Sequence, residues 1–213
     1  MTPLVLLFLL AHGEGFSLSN EQQLIQRAKE YAANPTPADL ADDFVFRGPV
    51  IGPLNKADFC ATLSSVGGQN GIKDAFPDLK VNQFGFCADP TEPGRVWYME
   101  RPRGTFTAPF DHPVVGTIEP TGANYIGPPE TRSILLNEEG KVKYQSVGYV
   151  SDRFTGDTTG GRGAVFGLYY VMGQVLDATV GSPLTIALQK ISEYTCRIFR
   201  GLIQRKRNCR VGG

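Results

Sequence analysis

The side chains best suited to acid–base chemistry in this sequence are carboxylates and tyrosines, because histidine is scarce. Among 213 residues the only histidines are His12, near the N-terminus, and His112, in an Asp-His-Pro turn that we expect at the surface. Proton transfer needs a partly desolvated base and a hydrogen-bond donor such as tyrosine. Any base must therefore be a carboxylate. We take Asp152 and Tyr149 as the catalytic candidates, because a rigid strand could hold the carboxylate in an apolar cavity that raises its pKa.

Both candidates also have structural explanations that do not involve catalysis. The carboxylate of Asp152 could pair with Arg153 or Arg132, or it could simply lie exposed at the end of a strand. A tyrosine whose hydroxyl lies at a sheet edge is commoner than a catalytic tyrosine. Strand alternation predicts Tyr144 and Tyr149 on opposite faces of the sheet, so only one of them can face a pocket.

Several aromatic and basic side chains of the β-rich region are candidates for substrate binding. Arginine can hold a carboxylate or phosphate through paired hydrogen bonds, and aromatic rings can cover an apolar ligand. Glu100 lies close to two of the arginines, so an ordinary charge ladder is the alternative there. The candidate substrate-binding residues are Arg47, Trp97, Tyr98, Arg101, Arg103, Phe106 and Tyr144.

Other kinds of site find little support. The four cysteines form no Cys-x-x-Cys pair, which argues against a zinc site or a redox dithiol but leaves a disulfide open. The glycine-rich run 158–163 lacks the Lys-Ser/Thr ending of a phosphate loop and favours a linker. Basic and acidic residues number 21 each, and this balance argues against a nucleic-acid binder. We expect no metal and no other cofactor.

The elements that must position these residues are helical first and β-rich afterwards. Capping residues and apolar spacing predict three helices, which begin near Ser19, Thr36 and Asn55, and an irregular connection over 44–53. After Pro77 the apolar period falls to two. With 25 Gly and 15 Pro for turns, we expect an α+β domain with the helices on one face of an antiparallel sheet. The predicted strands lie in 79–88, 96–109, 133–136 and 142–150, which form two hairpins.

The two ends of the chain differ from the region between them. An uncharged apolar run over 4–10 has the length of a signal-peptide core, and small residues follow it with the spacing of a signal-peptidase site. We therefore expect a leader over 1–15, with a buried first strand as the alternative. At the other end, 157–213 is predicted to be a glycine-rich linker and a basic helical extension. Most of the basic residues of this segment lie in 190–213, and this basic tail could contact an acidic partner or an anionic membrane, or it could be a solvated terminus.

Four segments, taken in order, resemble the SnoaL-like, polyketide-cyclase-type branch of the nuclear-transport-factor-2-like (NTF2-like) superfamily. They are DDFVFRGP at 42–49, FPDL at 76–79, RGTFTAPF at 103–110 and PTG at 120–122, and the strand 142–154 follows them. The resemblance covers about residues 20–155. It implies a cone-shaped fold, in which helices and a curved sheet enclose a pocket, for a domain over 16–156.

The resemblance leaves two hypotheses of function. Enzymes of this superfamily typically abstract a proton next to a carbonyl, and Asp152 stands where the family has a strand-borne Asp. The histidine of the family's Thr-His-Thr is Phe106 here, however, so one base or donor is gone. The domain is therefore expected to bind a medium-sized apolar molecule or to be a non-catalytic interaction module. The alternative is a cyclase- or isomerase-type enzyme that uses a carboxylate base and no metal. Superfamily members often dimerise through the sheet, which implies a possible homodimer.

The leader carries a resemblance of its own. An apolar core, small residues and then Phe16 resemble the plastid-targeting presequences of algae with secondary plastids. This implies entry into the secretory pathway followed by import into a plastid, and secretion is the competing expectation.

Overall fold

The computed structural model describes residues 16–112, 115–174, 187–188 and 191. The predicted leader, nearly all of the basic tail and two of the cysteines, Cys196 and Cys209, lie outside these residues. The other two, Cys60 and Cys87, are free thiols. Within the described residues, no helix has the length and apolar character needed to cross a bilayer.

The N-terminal helices begin at capping residues, as their spacing predicts. Helix α1 (Glu21–Ala33) follows Asn20, whose side chain accepts a hydrogen bond from the backbone N–H of Gln23, and helix α2 (Lys56–Gly67) follows Asn55. The predicted second helix is only a 3₁₀ turn (Pro37–Asp39). A short helix α3 (Ile72–Ala75) was not expected from the sequence.

One six-stranded sheet carries most of the domain, and it is mixed rather than antiparallel. Its strands run in the order β2, β1, β10, β9, β4, β3, and β1 is parallel to β10. The prediction of an antiparallel sheet is wrong because β1, which extends into the segment that we expected to be irregular, pairs parallel with β10. The bounds are β1 (Leu40–Arg47), β2 (Leu54–Asn55), β3 (Gln83–Ala88), β4 (Arg95–Glu100), β9 (Glu130–Leu136) and β10 (Val142–Val150).

Both predicted hairpins are present in this sheet. Strand β3 pairs antiparallel with β4, and β9 pairs antiparallel with β10. The long run predicted over 96–109 is divided, since β4 ends two residues before Pro102, which has no N–H for a ladder. Four short strands form two further small sheets, β5 with β8 and β6 with β7. They are β5 (Arg103–Thr105), β6 (Phe110–His112), β7 (Gly116–Ile118) and β8 (Asn124–Ile126).

The buried side chains form two clusters. The first cluster lies between α1, α2 and one face of the six-stranded sheet, and includes Leu24, Phe44 and Ile134. The second cluster joins α3, the small strands and helix α4 (Ala164–Val171). Phe106 is fully buried there and stacks on Phe76 with 5.4 Å between ring centroids. We call the sheet face that packs on α1 and α2 the inner face, and the opposite one the outer face.

The glycine-rich segment before α4 forms an ordered turn. One carboxylate oxygen of Asp157 accepts hydrogen bonds from the backbone N–H groups of Thr159 (2.7 Å) and Gly161 (3.0 Å). Thr159 is fully buried. Helix α4 then packs its Leu168 and Tyr169 into the second cluster. The division of the chain after residue 156 remains a prediction.

Candidate functional site

An apolar cavity of about 330 Å³ lies between α1, α2 and the inner face of the sheet, with α4 on one side. Phe46 from β1, Phe59 from α2 and Val147 from β10 supply apolar walls, and Val165 of α4 adds to them. This is the arrangement of a small-molecule site, which is mostly apolar with a few placed polar groups.

Five polar side chains line the cavity: Tyr31, Thr62, Arg132, Gln145 and Tyr169. Three of them, Tyr31, Arg132 and Gln145, lie where α1 meets strands β9 and β10. Helical spacing places Tyr31 on the same side of α1 as Leu24 and Ala28, so its ring faces the sheet. The Tyr31 hydroxyl donates a hydrogen bond of 2.8 Å to Oε1 of Gln145, which is 114 residues away in the chain. Burial raises the pKa of the Tyr31 hydroxyl, so it remains protonated and able to donate.

Arg132 connects the cavity to two buried carboxylates. Its Nη2 atom lies 2.6 Å from Oε2 of Glu100 and 3.8 Å from Oε2 of Glu130. Glu100 and Glu130 are 1% and 0% exposed. The other oxygen of Glu100 accepts a hydrogen bond from Nε2 of Gln83 (2.9 Å). Burial raises the pKa of both carboxyls above the usual range and outweighs the opposing effect of the Arg132 charge.

With this cavity described, the chain can be compared with known proteins. No protein-family model and no curated protein sequence matches it. The solved structures that match include SnoaL-like polyketide cyclases and NTF2-like proteins. This is the group that the sequence motifs resemble.

Three of these structures illustrate the level of similarity. A proposed SnoaL-like polyketide cyclase from Jannaschia sp. CCS1 is 16% identical, covers 59% of this chain and 84% of its own, and has a TM-score of 0.43. AclR from Streptomyces galilaeus, a proposed hydroxylase, is 16% identical, covers 89% of this chain and 98% of its own, and has a TM-score of 0.46. An NTF2-like protein of unknown function from Exiguobacterium sp. 255-15 is 16% identical, covers 58% of this chain and 88% of its own, and has a TM-score of 0.35. These values show a similarity of structure and carry no information about function.

Asp152 lies outside the cavity, in the exposed loop after β10. Its carboxylate accepts hydrogen bonds from the backbone N–H of Phe154 (2.9 Å) and from the hydroxyl of Thr155. These bonds hold the pKa of Asp152 below its usual range. The expectation of a raised pKa in an apolar cavity is wrong, because the strand ends at Val150 and the carboxylate caps its own turn.

Tyr149 and Tyr144 share the outer face of the sheet, contrary to the predicted alternation. The β10 register shifts between Ser146 and Tyr149, and Gly148 has a φ of +85° at this point. The resulting bulge moves Tyr149 to the face that already carries Tyr144. Both tyrosines line an open outer groove together with Trp97.

Trp97 and Arg95 make the outer face both aromatic and charged. The Trp97 indole N–H donates to Oδ2 of Asp89 at 2.6 Å. The Arg95 guanidinium lies 5.6 Å from the Trp97 ring and 5.0 Å from the Tyr144 ring, within the range of cation–π contacts.

The other predicted binding residues are dispersed. Tyr98 is buried on the inner face and stacks on Phe86 (4.6 Å), while Phe106 is buried in the second cluster. Arg47 and Arg101 are half-buried, and Arg103 is exposed beside a polar groove. None of the nine candidate residues lines the apolar cavity. Three of them, Trp97, Tyr144 and Tyr149, meet on the outer face.

His112 also differs from its expected surface position. It is only 9% exposed, and its ring lies edge-on to Tyr169 with 4.8 Å between centroids. Its Nδ1 accepts a hydrogen bond from the backbone N–H of Val115 (3.2 Å). His112 therefore helps to hold α4, because Tyr169 belongs to that helix.

The candidate site residues that sequence reasoning missed are Tyr31 on α1, Glu130 and Arg132 on β9, and Glu100 and Gln145 on its neighbours β4 and β10. Glu130, Arg132, Ile134 and Leu136 occupy every second position of β9 and therefore lie on the same face. Because Ile134 and Leu136 are apolar, this spacing could have shown that Glu130 and Arg132 also point into the core. The predicted strand began only at Ser133, which hid the pattern. In the described part of the chain, no group of three or more His, Cys, Asp or Glu side chains is placed to hold a metal ion.

Proposed function

We propose that this protein binds a medium-sized, mostly apolar small molecule in the cavity between α1, α2, the sheet and α4. The observation that carries the proposal is the cavity itself, about 330 Å³ with apolar walls and a polar group made by Tyr31, Arg132 and Gln145. A ligand that buries about 200 Å² of apolar surface gains roughly 5 kcal/mol at 25 cal/mol per Å². Association costs reduce this gain, so we expect dissociation constants on the order of millimolar.

A fluorescent apolar probe tests the proposal directly. N-phenyl-1-naphthylamine is neutral, and its emission rises when it enters an apolar cavity. We expect saturable enhancement with the full chain and loss of binding in Val147→Phe, because Val147 lines the cavity. Val81→Phe is the matched control, since Val81 is 41% exposed and lies outside the cavity. Equal probe binding by a folded Val147→Phe variant would place the site elsewhere.

A second candidate function is a cyclase- or isomerase-type enzyme with a carboxylate base. Glu130 favours it, because burial raises the pKa of this carboxyl and Arg132 connects it to the cavity. The test is deuterium exchange into the methyl group of 2-acetylnaphthalene in D₂O, followed by NMR. If the protein is such an enzyme, exchange is faster than in buffer and is lost in Glu130→Gln. Exchange at the buffer rate would leave binding as the function.

We also propose two partners that the sequence led us to expect. The first is a second copy of the chain packed on the outer face, where Trp97 and Tyr149 are 36% and 42% exposed. The second is an acidic or anionic membrane surface for the basic tail, which lies outside the described residues. Co-sedimentation of the full chain and a 1–189 form with anionic vesicles tests the second, and equal binding of both forms would discard it.

A further inference from the structure

We infer that the ligand of the cavity is uncharged and presents a hydrogen-bond acceptor oxygen to the side-chain amide nitrogen of Gln145. The inference rests on the proposed binding function and adds the chemical class of the ligand: an apolar body with a neutral ketone, ester or similar oxygen.

The first step is the hydrogen-bond inventory of Gln145. A glutamine amide has one acceptor oxygen and an NH₂ group with two donors. The hydroxyl of Tyr31 donates a hydrogen bond of 2.8 Å to Oε1 of Gln145. The Nε2 atom has no hydrogen-bond partner among the described residues. Because Gln145 is 8% exposed and lines the cavity, a ligand in the cavity would contact its side chain.

The second step is that the Nε2 donor of Gln145 remains accessible. Buried polar atoms with no partner include Nε of Arg132, which is closed off from its surroundings. Nε2 of Gln145 is not among them, although it also has no protein partner, so some of its surface remains accessible. An unpaired buried donor costs free energy that an acceptor on the ligand would recover.

The third step is the charge beside the cavity. Among the described residues that line the cavity, Arg132 is the only charged one, and it already faces the two carboxylates of Glu100 and Glu130. As long as at least one of the two carboxylates is ionised, the cluster with Arg132 has a net charge of 0 or −1. An anionic ligand therefore gains no net attraction from Arg132 and still loses its hydration on entry.

Thr62 and Tyr169 also line the cavity with hydroxyl groups. The Thr62 hydroxyl donates to the backbone oxygen of Asp58 (2.8 Å), so Tyr169 is the competing donor. Its ring packs on Phe110 and His112, with centroid distances of 6.0 and 4.8 Å. A conservative substitution can therefore remove its hydroxyl while these ring contacts remain. The experiment must therefore distinguish a hydrogen bond donated by the Tyr169 hydroxyl from one donated by the Gln145 amide.

The test compares the binding of three ligands of similar shape. The binding of each is measured by displacement of N-phenyl-1-naphthylamine from the full chain at neutral pH. They are 2-acetylnaphthalene with a neutral acceptor, 2-isopropylnaphthalene with none, and 2-naphthoate with a charge. The proteins are the wild type, Gln145→Met and Tyr169→Phe. Comparing each variant's effect on the ketone with its effect on the hydrocarbon isolates the hydrogen bond from changes in cavity shape.

We expect Gln145→Met to weaken ketone binding about three- to ten-fold relative to the hydrocarbon, and Tyr169→Phe to leave that ratio unchanged. We expect 2-naphthoate to bind the wild type at least about ten-fold more weakly than the ketone. A ratio that changes only in Tyr169→Phe, or naphthoate binding as tight as ketone binding, overturns the inference. If no ligand displaces the probe because the probe itself does not bind, the proposed function fails instead.

Discussion

The carboxylate of Glu130, fully buried on β9, accepts a hydrogen bond of 2.8 Å from the backbone N–H of Ala164, the first residue of α4. The same carboxylate lies 3.8 Å from the Arg132 guanidinium through its other oxygen. The Glu130 side chain thus connects the sheet, the Arg132 guanidinium that lines the cavity, and helix α4 beside the cavity. Ala164 has a φ of +48°, so this junction also holds a backbone conformation that alanine rarely adopts.

The first prediction concerns this junction. Glu130→Ala leaves the N–H of Ala164 unpaired and breaks a buried charge cluster, so we expect a loss of about 3–5 kcal/mol in the free energy of unfolding. Glu130→Gln keeps an oxygen for Ala164 and should lose less than about 2 kcal/mol. Urea denaturation of both variants measures the difference. Equal losses would show that the hydrogen bond to α4 contributes little.

The second prediction concerns pH. The pKa of Glu130 is raised above its ordinary value of 4.5 by burial. A raised folded-state pKa stabilises the protein fully below the unfolded-state pKa, and this contribution is lost as pH rises through the folded-state pKa. We therefore expect the stability of the wild type, measured relative to Glu130→Gln, to decrease as pH rises above about 4.5. An increase in relative stability over that range would contradict the burial argument.

The third prediction compares two glycines. Both Gly94 (φ +87°) and Gly85 (φ +69°) have left-handed backbone conformations, but only at Gly94 would an added Cβ meet a backbone atom, the carbonyl oxygen of Leu136, at 2.7 Å. Gly85→Ala should cost about 1–2 kcal/mol through backbone strain. Gly94→Ala should cost about 3 kcal/mol, since a steric clash adds to the strain. Thermal unfolding measures both, and equal costs would mean that the hairpin turn moves to accommodate the methyl group.

The fourth prediction tests the outer face. If a second copy packs there, Trp97→Glu introduces a charge into the contact and should convert a dimer into a monomer. Phe154→Glu is the matched control, because Phe154 is 93% exposed and does not line the outer groove. Sedimentation velocity gives the masses. A wild type that is monomeric at all concentrations, or a dimer that survives Trp97→Glu, would rule out this contact.

The fifth prediction follows from the position of Asp152. Its carboxylate is exposed and makes hydrogen bonds only within its own turn, so we expect Asp152→Asn to bind N-phenyl-1-naphthylamine with unchanged affinity. Fluorescence titration beside the wild type and Gln145→Met checks this. A clear loss of probe affinity in Asp152→Asn would show that this residue takes part in binding.

Local patterns were sufficient to predict α1, α2 and the two hairpins, because caps, apolar spacing and turn residues act over a few neighbours. Strand β1 was missed because Leu40 and Ala41 are followed by two acidic residues, so alternation fails, and its register shifts before Val45. The face of Tyr149 was predicted wrongly for a similar reason, because a bulge changes the alternation of β10.

The site was harder to predict than the fold because its members are far apart in the chain. Tyr31 and Gln145 meet only after β10 has paired beside β1, and neither residue has a local signature of binding. The resemblance directed attention to a strand-borne aspartate and to Phe106. The buried carboxylates of Glu100 and Glu130 instead depend on the pairing of β4 with β9, which brings the two residues opposite each other.

Tyr169 belongs to two structures at once, the wall of the cavity and the second buried cluster. A molecule held in the cavity would therefore stabilise α4 together with the small strands packed behind it, by mass action on their shared native state. Amide hydrogen exchange in α4 should then slow with increasing ligand concentration. The helix that follows the glycine-rich turn would then show whether the cavity is occupied.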